Sequence, residues 1–240
     1  MQQYFITQKA MLESEVEFST EQKHHIKKVM RMKEGMIIKV VDSSKDAFLA
    51  RIVYRESDVT AFCFEALSTT QEVPDITLVQ GMIKKDKWDF LIQKTCELGV
   101  NHIIPMISSR TIVKVSEKDN GKIERYNKIA LEACEQCKRE SLADVLIPIK
   151  FKDILKYKKT LNVVAYEDAD FKALPLKKLL SEHKNVDSIL YVIGSEGGFS
   201  QAEIDFLVAN GFFCVSLGKR ILRAETAALS IVDVTRYEFD

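Results

Sequence analysis

Residues Leu190–Asp205 read LYVIGSEGGFSQAEID, and residues Leu217–Ser230 read LGKRILRAETAALS. The chain has only nine glycines, and five of them, Gly194, Gly197, Gly198, Gly211 and Gly218, lie between positions 194 and 218. An apolar run ends at Gly194, and Ser200 with Glu203 has the S-x-x-E spacing of a capping box that opens a helix. Glycines at such a strand-to-helix junction permit positive φ and let a ligand approach the backbone closely. The second stretch also follows an apolar run, Phe212–Leu217, and leads into a helical pattern over Ala224–Tyr237. In open α/β sheets ligands bind outside the carboxyl ends of strands. Two glycine-marked loops at strand ends would form two sides of one pocket; the plainer alternative is a pair of tight turns.

Neither loop is a common nucleotide motif. Gly-Ser-Glu-Gly-Gly is not G-x-G-x-x-G, and no G-K-[ST] ends the cluster. Glu196 inside the loop is unsuited to a pyrophosphate. It suits a ligand carrying positive charge or several hydrogen-bond donors.

Working outward, short apolar runs at Ile76–Met82, His102–Ile107, Leu161–Tyr166, Ser188–Gly194 and Phe212–Leu217 predict buried parallel strands. Helical patterns lie between most of them. Trp88, Leu91, Ile92 and Thr95 share one helical face, as do Ile123, Tyr126, Ala130, Ala133 and Cys137. This alternation predicts an α/β domain with a covered parallel sheet over residues 74–240. The first 70 residues read differently. A short helix is predicted over Glu21–Met32, with Thr20 as its N-cap. Three β-rich runs follow, Met36–Val41, Ala47–Tyr54 and Val59–Leu67, joined by the turns DSSKD and RESD. They predict a small barrel or sandwich. The polar Ser68–Asp75, with its proline, reads as the linker.

Composition narrows the partners. The 240 residues are 46% hydrophobic and 29% charged, with 35 basic and 35 acidic side chains. That is ordinary for a globular protein, and a net charge of zero leaves room for a local basic patch. No apolar run approaches a membrane span, and the N-terminus has no secretory pattern. Five cysteines, an odd number, read as reduced cytosolic thiols. Cys134-x-x-Cys137 has no second pair, so it reads as helix-face thiols rather than a zinc site. The expectation is a cytoplasmic protein without metal.

IGSEGGFS, LGKRILRAETA, IQKTCELGV and EACEQCKRE, in this order, resemble the RsmE family of 16S ribosomal RNA uridine N3-methyltransferases of the SPOUT superfamily. The resemblance spans nearly the whole chain. It implies a C-terminal trefoil-knotted domain that binds S-adenosylmethionine, an N-terminal PUA-like RNA-binding β-barrel that includes HHIKKVMRM, and a homodimer. The knot comes from the resemblance alone, since ordinary chains do not knot. The resemblance assigns Gly194, Glu196, Gly197 and Gly198 to a first cofactor loop. It assigns Leu217, Gly218, Ile221, Leu222, Arg223, Glu225 and Thr226 to a second, and places Tyr166 and Glu167 beside them. Lys84, Arg110 and Arg139 match its RNA-facing basic positions, and Glu97, Glu135 and Gln136 also match. The chain departs from the family at Ser195, where proline is usual, and at Gln3, where arginine is frequent.

The implied partner is 16S ribosomal RNA, free or within the small ribosomal subunit. Lys27, Lys28, Arg31 and Lys33 add a basic stretch suited to phosphates. Uracil N3 carries a proton that must leave before or during methyl transfer, so a base or an anion-stabilising cation is required. Arg223 is assigned as that cation, with Glu225 orienting it or relaying the proton. The alternatives are an Arg–Glu pair that only shapes the loop, a related enzyme acting on a ribose 2′-hydroxyl, an inactive RNA-binding module, and a nicotinamide oxidoreductase. The absent dinucleotide fingerprint disfavours the last.

Overall fold

The structure is a computed structural model that describes residues 1–56, 58–69, 72–111, 120–167 and 173–239. Ser57 of the second predicted turn, and Thr70 and Gln71 of the predicted linker, lie outside the described residues. The chain divides into two compact units. One comprises Met1–Gln71 and Cys134–Leu142, the other Glu72–Ala133 and Ala143–Asp240.

The N-terminal unit holds β1 (Gln3–Phe5), β2 (Glu15–Glu17), α1 (Thr20–His24), β3 (Ile37–Val41), β4 (Ala47–Arg55) and β5 (Asp58–Leu67). The sheet order is β1-β3-β4-β5-β2, with β1 parallel to β3 and the other pairs antiparallel. The period of two is plain in β4 and β5. Phe48, Ala50, Ile52, Val59, Ala61 and Cys63 face the core, where they meet Tyr4, Phe18 and Ile26. The N-cap of α1 is Ser19 rather than Thr20. The Ser19 hydroxyl accepts from the Gln22 amide, and the Gln22 side chain accepts from the Ser19 amide. A π-helical turn, His25–Val29, continues the helix.

This unit takes in Cys134–Leu142, which the sequence reading leaves with the other domain. Gln3 is fully buried and its side-chain amide donates to the Arg139 carbonyl. The Phe5 amide donates to the Glu135 carboxylate at 3.2 Å, and Lys39 pairs with Glu140 at 2.7 Å.

The C-terminal unit runs β6 (Asp75–Gly81), α2 (Lys85–Glu97), β7 (His102–Ile107), α3 (Asn120–Cys137, which belongs to this unit as far as Ala133), β8 (Asp144–Val145), β9 (Ile149–Lys150), a 3-10 turn (Phe151–Tyr157), β10 (Leu161–Ala165), β11 (Leu174–Pro175), α4 (Leu176–Glu182), β12 (Ser188–Ile193), α5 (Gln201–Ala209), β13 (Phe213–Ser216) and α6 (Ala224–Phe239). The strand order is β11-β13-β10-β12-β6-β7-β8, with β9 also on β7, and every pairing is parallel. The central strands are buried along nearly their whole length, as expected of a sheet covered on both faces. On α2 the buried residues are Trp88, Leu91, Ile92, Thr95 and Cys96, and Trp88 stacks on Tyr126 with ring centroids 5.7 Å apart.

At the amino ends of the strands sits a charge cluster. His102 lies 2.6 Å from Asp144 and 3.4 Å from Asp75, and Lys159 pairs with Asp75 at 3.1 Å. The hydrogen bonds with Asp144 and then Asp75 push His102 up to about 9, and the bond with His102 holds Asp75 down to about 2. A histidine raised in the folded state stabilises fully below its unfolded pKa of about 6.5 and loses that contribution as pH rises through its folded value. The melting temperature is therefore expected to fall between about pH 6.5 and about pH 10, and His102→Gln should flatten that slope. Thermal unfolding followed by circular dichroism at a series of pH values checks this; equal slopes for both proteins would remove the cluster from the account.

Candidate active site

At the opposite end of the same sheet, three neighbouring strands release their chains into loops. β10 leads into Tyr166 and Glu167, β12 into Gly194–Phe199, and β13 into Leu217–Arg223. These loops enclose a cavity of about 370 Å³, within the range of small-molecule sites. Of the sequence-assigned cofactor residues, Tyr166, Glu167, Gly194, Glu196, Gly198, Leu217, Gly218, Ile221 and Leu222 line it, and so does Arg223. Gly197, Thr226 and Glu225 do not. Ile193 and Phe199 add apolar wall.

The first loop is a tight turn. The Gly198 amide donates to the Ser195 carbonyl at 2.9 Å, and Gly198 has φ +63°. Glycine, with no Cβ, takes that left-handed conformation most readily. The turn is clamped from below: Gln80, fully buried at the end of β6, donates to the carbonyls of Gly194 and Gly81, both at 3.0 Å. Gly81 must lack a side chain, because a Cβ there would lie 2.3 Å from the Ser195 nitrogen. Ser195 is buried and its hydroxyl donates to the Arg110 carbonyl at 3.4 Å. The Arg110 guanidinium in turn donates to the Gly197 carbonyl at 3.2 Å. Gly197 thus packs outward against Arg110 rather than into the cavity.

The turn passes directly into α5 through the expected capping box. The Ser200 hydroxyl accepts from the Glu203 amide at 3.3 Å, and the Glu203 carboxylate accepts from the Ser200 amide at 2.9 Å. Glu203 also accepts from the Ser109 amide at 2.9 Å, which joins the loop after β7 to this helix start. Burial pushes its carboxyl up, but the bonds from Ser109 and Ser200 prevail and hold it low. The second loop ends where the Arg223 carbonyl accepts from the Ala227 amide at 2.8 Å, which fixes Arg223 at the start of α6.

The sequence pairing of Glu225 with Arg223 is corrected. Glu225 faces Lys87 on α2, at 3.2 Å. Lys87 also lines the cavity and lies 3.7 Å from Glu196. Arg223 is exposed, and its guanidinium has no ion-pair or hydrogen-bond partner among the described residues. Lys87 has no sequence assignment, because nothing in the local run Lys84–Lys87, KKDK, distinguishes it from a solvated surface charge.

The basic residues divide. Lys84 and Arg110 are exposed beside the first loop, and the Lys84 amide donates to Glu196 at 3.3 Å. Lys28 and Arg31 are exposed in the N-terminal unit, and Lys27 is half-buried. Arg139 differs from these: it is only 7% exposed and its guanidinium donates to the Ser141 hydroxyl at 2.8 Å. Gln3, at the position where arginine is frequent, is likewise buried. Among the described residues no group of three or more His, Cys, Asp or Glu is placed to hold a metal ion. No described helix is long and apolar enough to cross a membrane.

Comparison with known proteins agrees with this arrangement. An RNA methyltransferase domain model matches residues 70–236, and an RNA methyltransferase PUA domain model matches residues 18–57. The chain is 34% identical to ribosomal RNA small subunit methyltransferase E of Bacillus subtilis, over 99% of this chain and 97% of that protein. It is 32% identical to the protein of the same name from Mesomycoplasma hyopneumoniae, over 87% of this chain and 88% of that one. The crystal structure of ribosomal RNA small subunit methyltransferase E from Neisseria gonorrhoeae, bound to S-adenosyl methionine, superposes with a TM-score of 0.88 at 28% identity, covering 99% of this chain and 97% of that one. On this evidence the chain belongs to the ribosomal RNA small subunit methyltransferase E family of RNA methyltransferases.

Proposed function

We propose that this protein transfers a methyl group from S-adenosylmethionine to N3 of a uridine in 16S ribosomal RNA. The observation that carries the reading is the cavity at the carboxyl ends of β10, β12 and β13, walled by two glycine-marked loops. Its donor set suits the cofactor. Ile193, Leu217 and Leu222 offer apolar surface, the loop backbones offer amides and carbonyls, and Glu167 and Glu196 offer carboxylates to a cationic, donor-rich ligand. Residues Gly194–Gly198 and Leu217–Leu222 would hold it, with Tyr166 and Glu167 closing the side.

S-adenosylmethionine supplies a methyl group activated by a sulfonium. The chain's own contribution is alignment of acceptor and donor and stabilisation of the acceptor as its imide proton leaves. Arg223 performs the second task. Its backbone is fixed at the start of α6 while its side chain meets no carboxylate among the described residues, so its charge is available to the uracil oxygens. Glu225 pairs with Lys87 at 3.2 Å rather than orienting Arg223.

RNA docks on Lys27, Lys28 and Arg31, exposed or half-exposed around the π-helical turn, and on Lys84 and Arg110. Single-stranded or splayed bases suit such a site better than bases inside an A-form helix. The trefoil knot, the homodimer and the cytoplasmic location belong to the same proposal. Tyr237 on α6 and Phe90 on α2 are 84% and 48% exposed in the single chain, large apolar side chains that a partner subunit would cover. Calorimetry with S-adenosylhomocysteine and with NAD tests the cofactor, and light scattering of the same sample tests the dimer. Binding of the first ligand alone by a particle of twice the chain mass is expected. Binding of NAD alone would return the oxidoreductase reading, and a monomer at micromolar concentration would remove the dimer.

A further inference from the structure

We infer that Lys87 is a positioning residue of this site: its ammonium ties the first glycine loop to the start of α6 and so holds the cavity in its binding shape. The inference rests on the methyltransferase reading above.

Lys87 stands in the first turn of α2. Its Nζ lies 3.2 Å and 3.4 Å from the two Glu225 oxygens and 3.7 Å from Glu196 Oε1. Glu196 belongs to the first loop and Glu225 to the first turn of α6, directly after the second loop. One cation therefore joins the two glycine-marked stretches, which are not adjacent in sequence. Glu196 is held a second time. Lys84, the N-cap of α2, makes no side-chain cap, and its amide donates to Glu196 at 3.3 Å. The carboxylate so satisfies one of the orphan amides at the positive end of that helix.

The surroundings separate this cluster from an ordinary surface pair, which contributes little. The side chains of Lys87, Glu196 and Glu225 are 25%, 33% and 12% exposed, and Lys87 is part of the cavity wall. Without the ammonium, two partly buried carboxylates would face the same space and repel each other. The first loop, whose backbone is tethered among the described residues at Gln80 and Arg110, is the element free to give way.

The test uses the full-length protein with S-adenosylhomocysteine as the calorimetric probe. Lys87→Met is expected to bind about tenfold more weakly with an unchanged melting temperature, the scale of a partly exposed pair broken so as to leave a carboxylate unpaired. Lys87→Arg should bind near the native level. Adding Glu225→Gln to Lys87→Met should restore part of the loss, because the repulsion is then gone; a double-mutant cycle measures that coupling. Should Lys87→Met fail to fold, Lys87→Gln, which keeps most of the stem and loses the charge, gives the same comparison. Native affinity in the uncharged variant, or strictly additive losses in the cycle, overturns the inference. Native protein that does not bind the probe sinks the parent reading and this one with it; native binding with an unaffected Lys87→Met sinks this one alone.

Discussion

Gly198→Val should weaken S-adenosylhomocysteine binding by about 10- to 100-fold while the protein stays folded. The residue sits at φ +63° in the turn that forms one wall of the cavity. A non-glycine residue held in a sparsely populated backbone region costs about 1–3 kcal/mol, and each 1.4 kcal/mol is about a factor of ten in affinity. A β-branched side chain is among the worst there. The new Cβ would also lie 3.3 Å from Glu167 Oε1, the flexible end of a side chain that can give way, so the backbone conformation carries the effect. Gly35 supplies the control. It has φ +78° with open space around it, and it belongs to the N-terminal unit. Gly35→Val should lower the melting temperature and leave the affinity alone. Equal affinity of native and Gly198→Val protein in calorimetry would take the first loop out of the site. Gly197→Val is the less direct probe, because its Cβ would press on Arg110 Cβ and carbonyl oxygen at 3.0 Å, outside the cavity lining.

Arg223→Ala should lower kcat by about 100- to 1000-fold, the scale of losing one group that stabilises developing charge, and change cofactor affinity only a few-fold. An interaction made mainly in the transition state affects the rate far more than ground-state binding. The Arg223 side chain is exposed and bonds nothing else among the described residues, so its removal breaks no packing and leaves the α6 start intact. Single-turnover kinetics with calorimetry on the same variant separates the two quantities. A fully active Arg223→Ala protein would keep the reaction and discard this role. A variant that loses affinity and rate alike would make Arg223 a cofactor ligand.

The two loops were legible because glycine is rare in this chain and its clustering has few physical causes. The five long strands of the parallel sheet were legible because a strand buried on both faces must be apolar throughout. β1, β2, β8, β9 and β11 were not, since two or three residues carry no measurable period. The N-cap shifted from Thr20 to Ser19 because two successive hydroxyls satisfy the same rule. The placement of Cys134–Leu142 with the N-terminal unit depends on contacts such as Phe5 with Glu135, across 130 positions, which no local pattern encodes. The same limit explains the site. The resemblance pointed to Glu225 and Arg223, but only the fold showed Glu225 turned to Lys87, 138 positions away, and Arg139 folded inward.

The central claim is the atom that receives the methyl group. Purified protein, labelled S-adenosylmethionine and small-subunit RNA or particles from a strain lacking its own enzyme, followed by nuclease digestion and mass spectrometry of the nucleosides, measure it directly. The account predicts one methyl group on the uracil base fragment, at N3, with an unmodified ribose. The label on the ribose fragment would contradict it and make the protein a 2′-hydroxyl methyltransferase, and absence of label from RNA while S-adenosylhomocysteine still binds would make it an RNA-binding module that has lost the reaction.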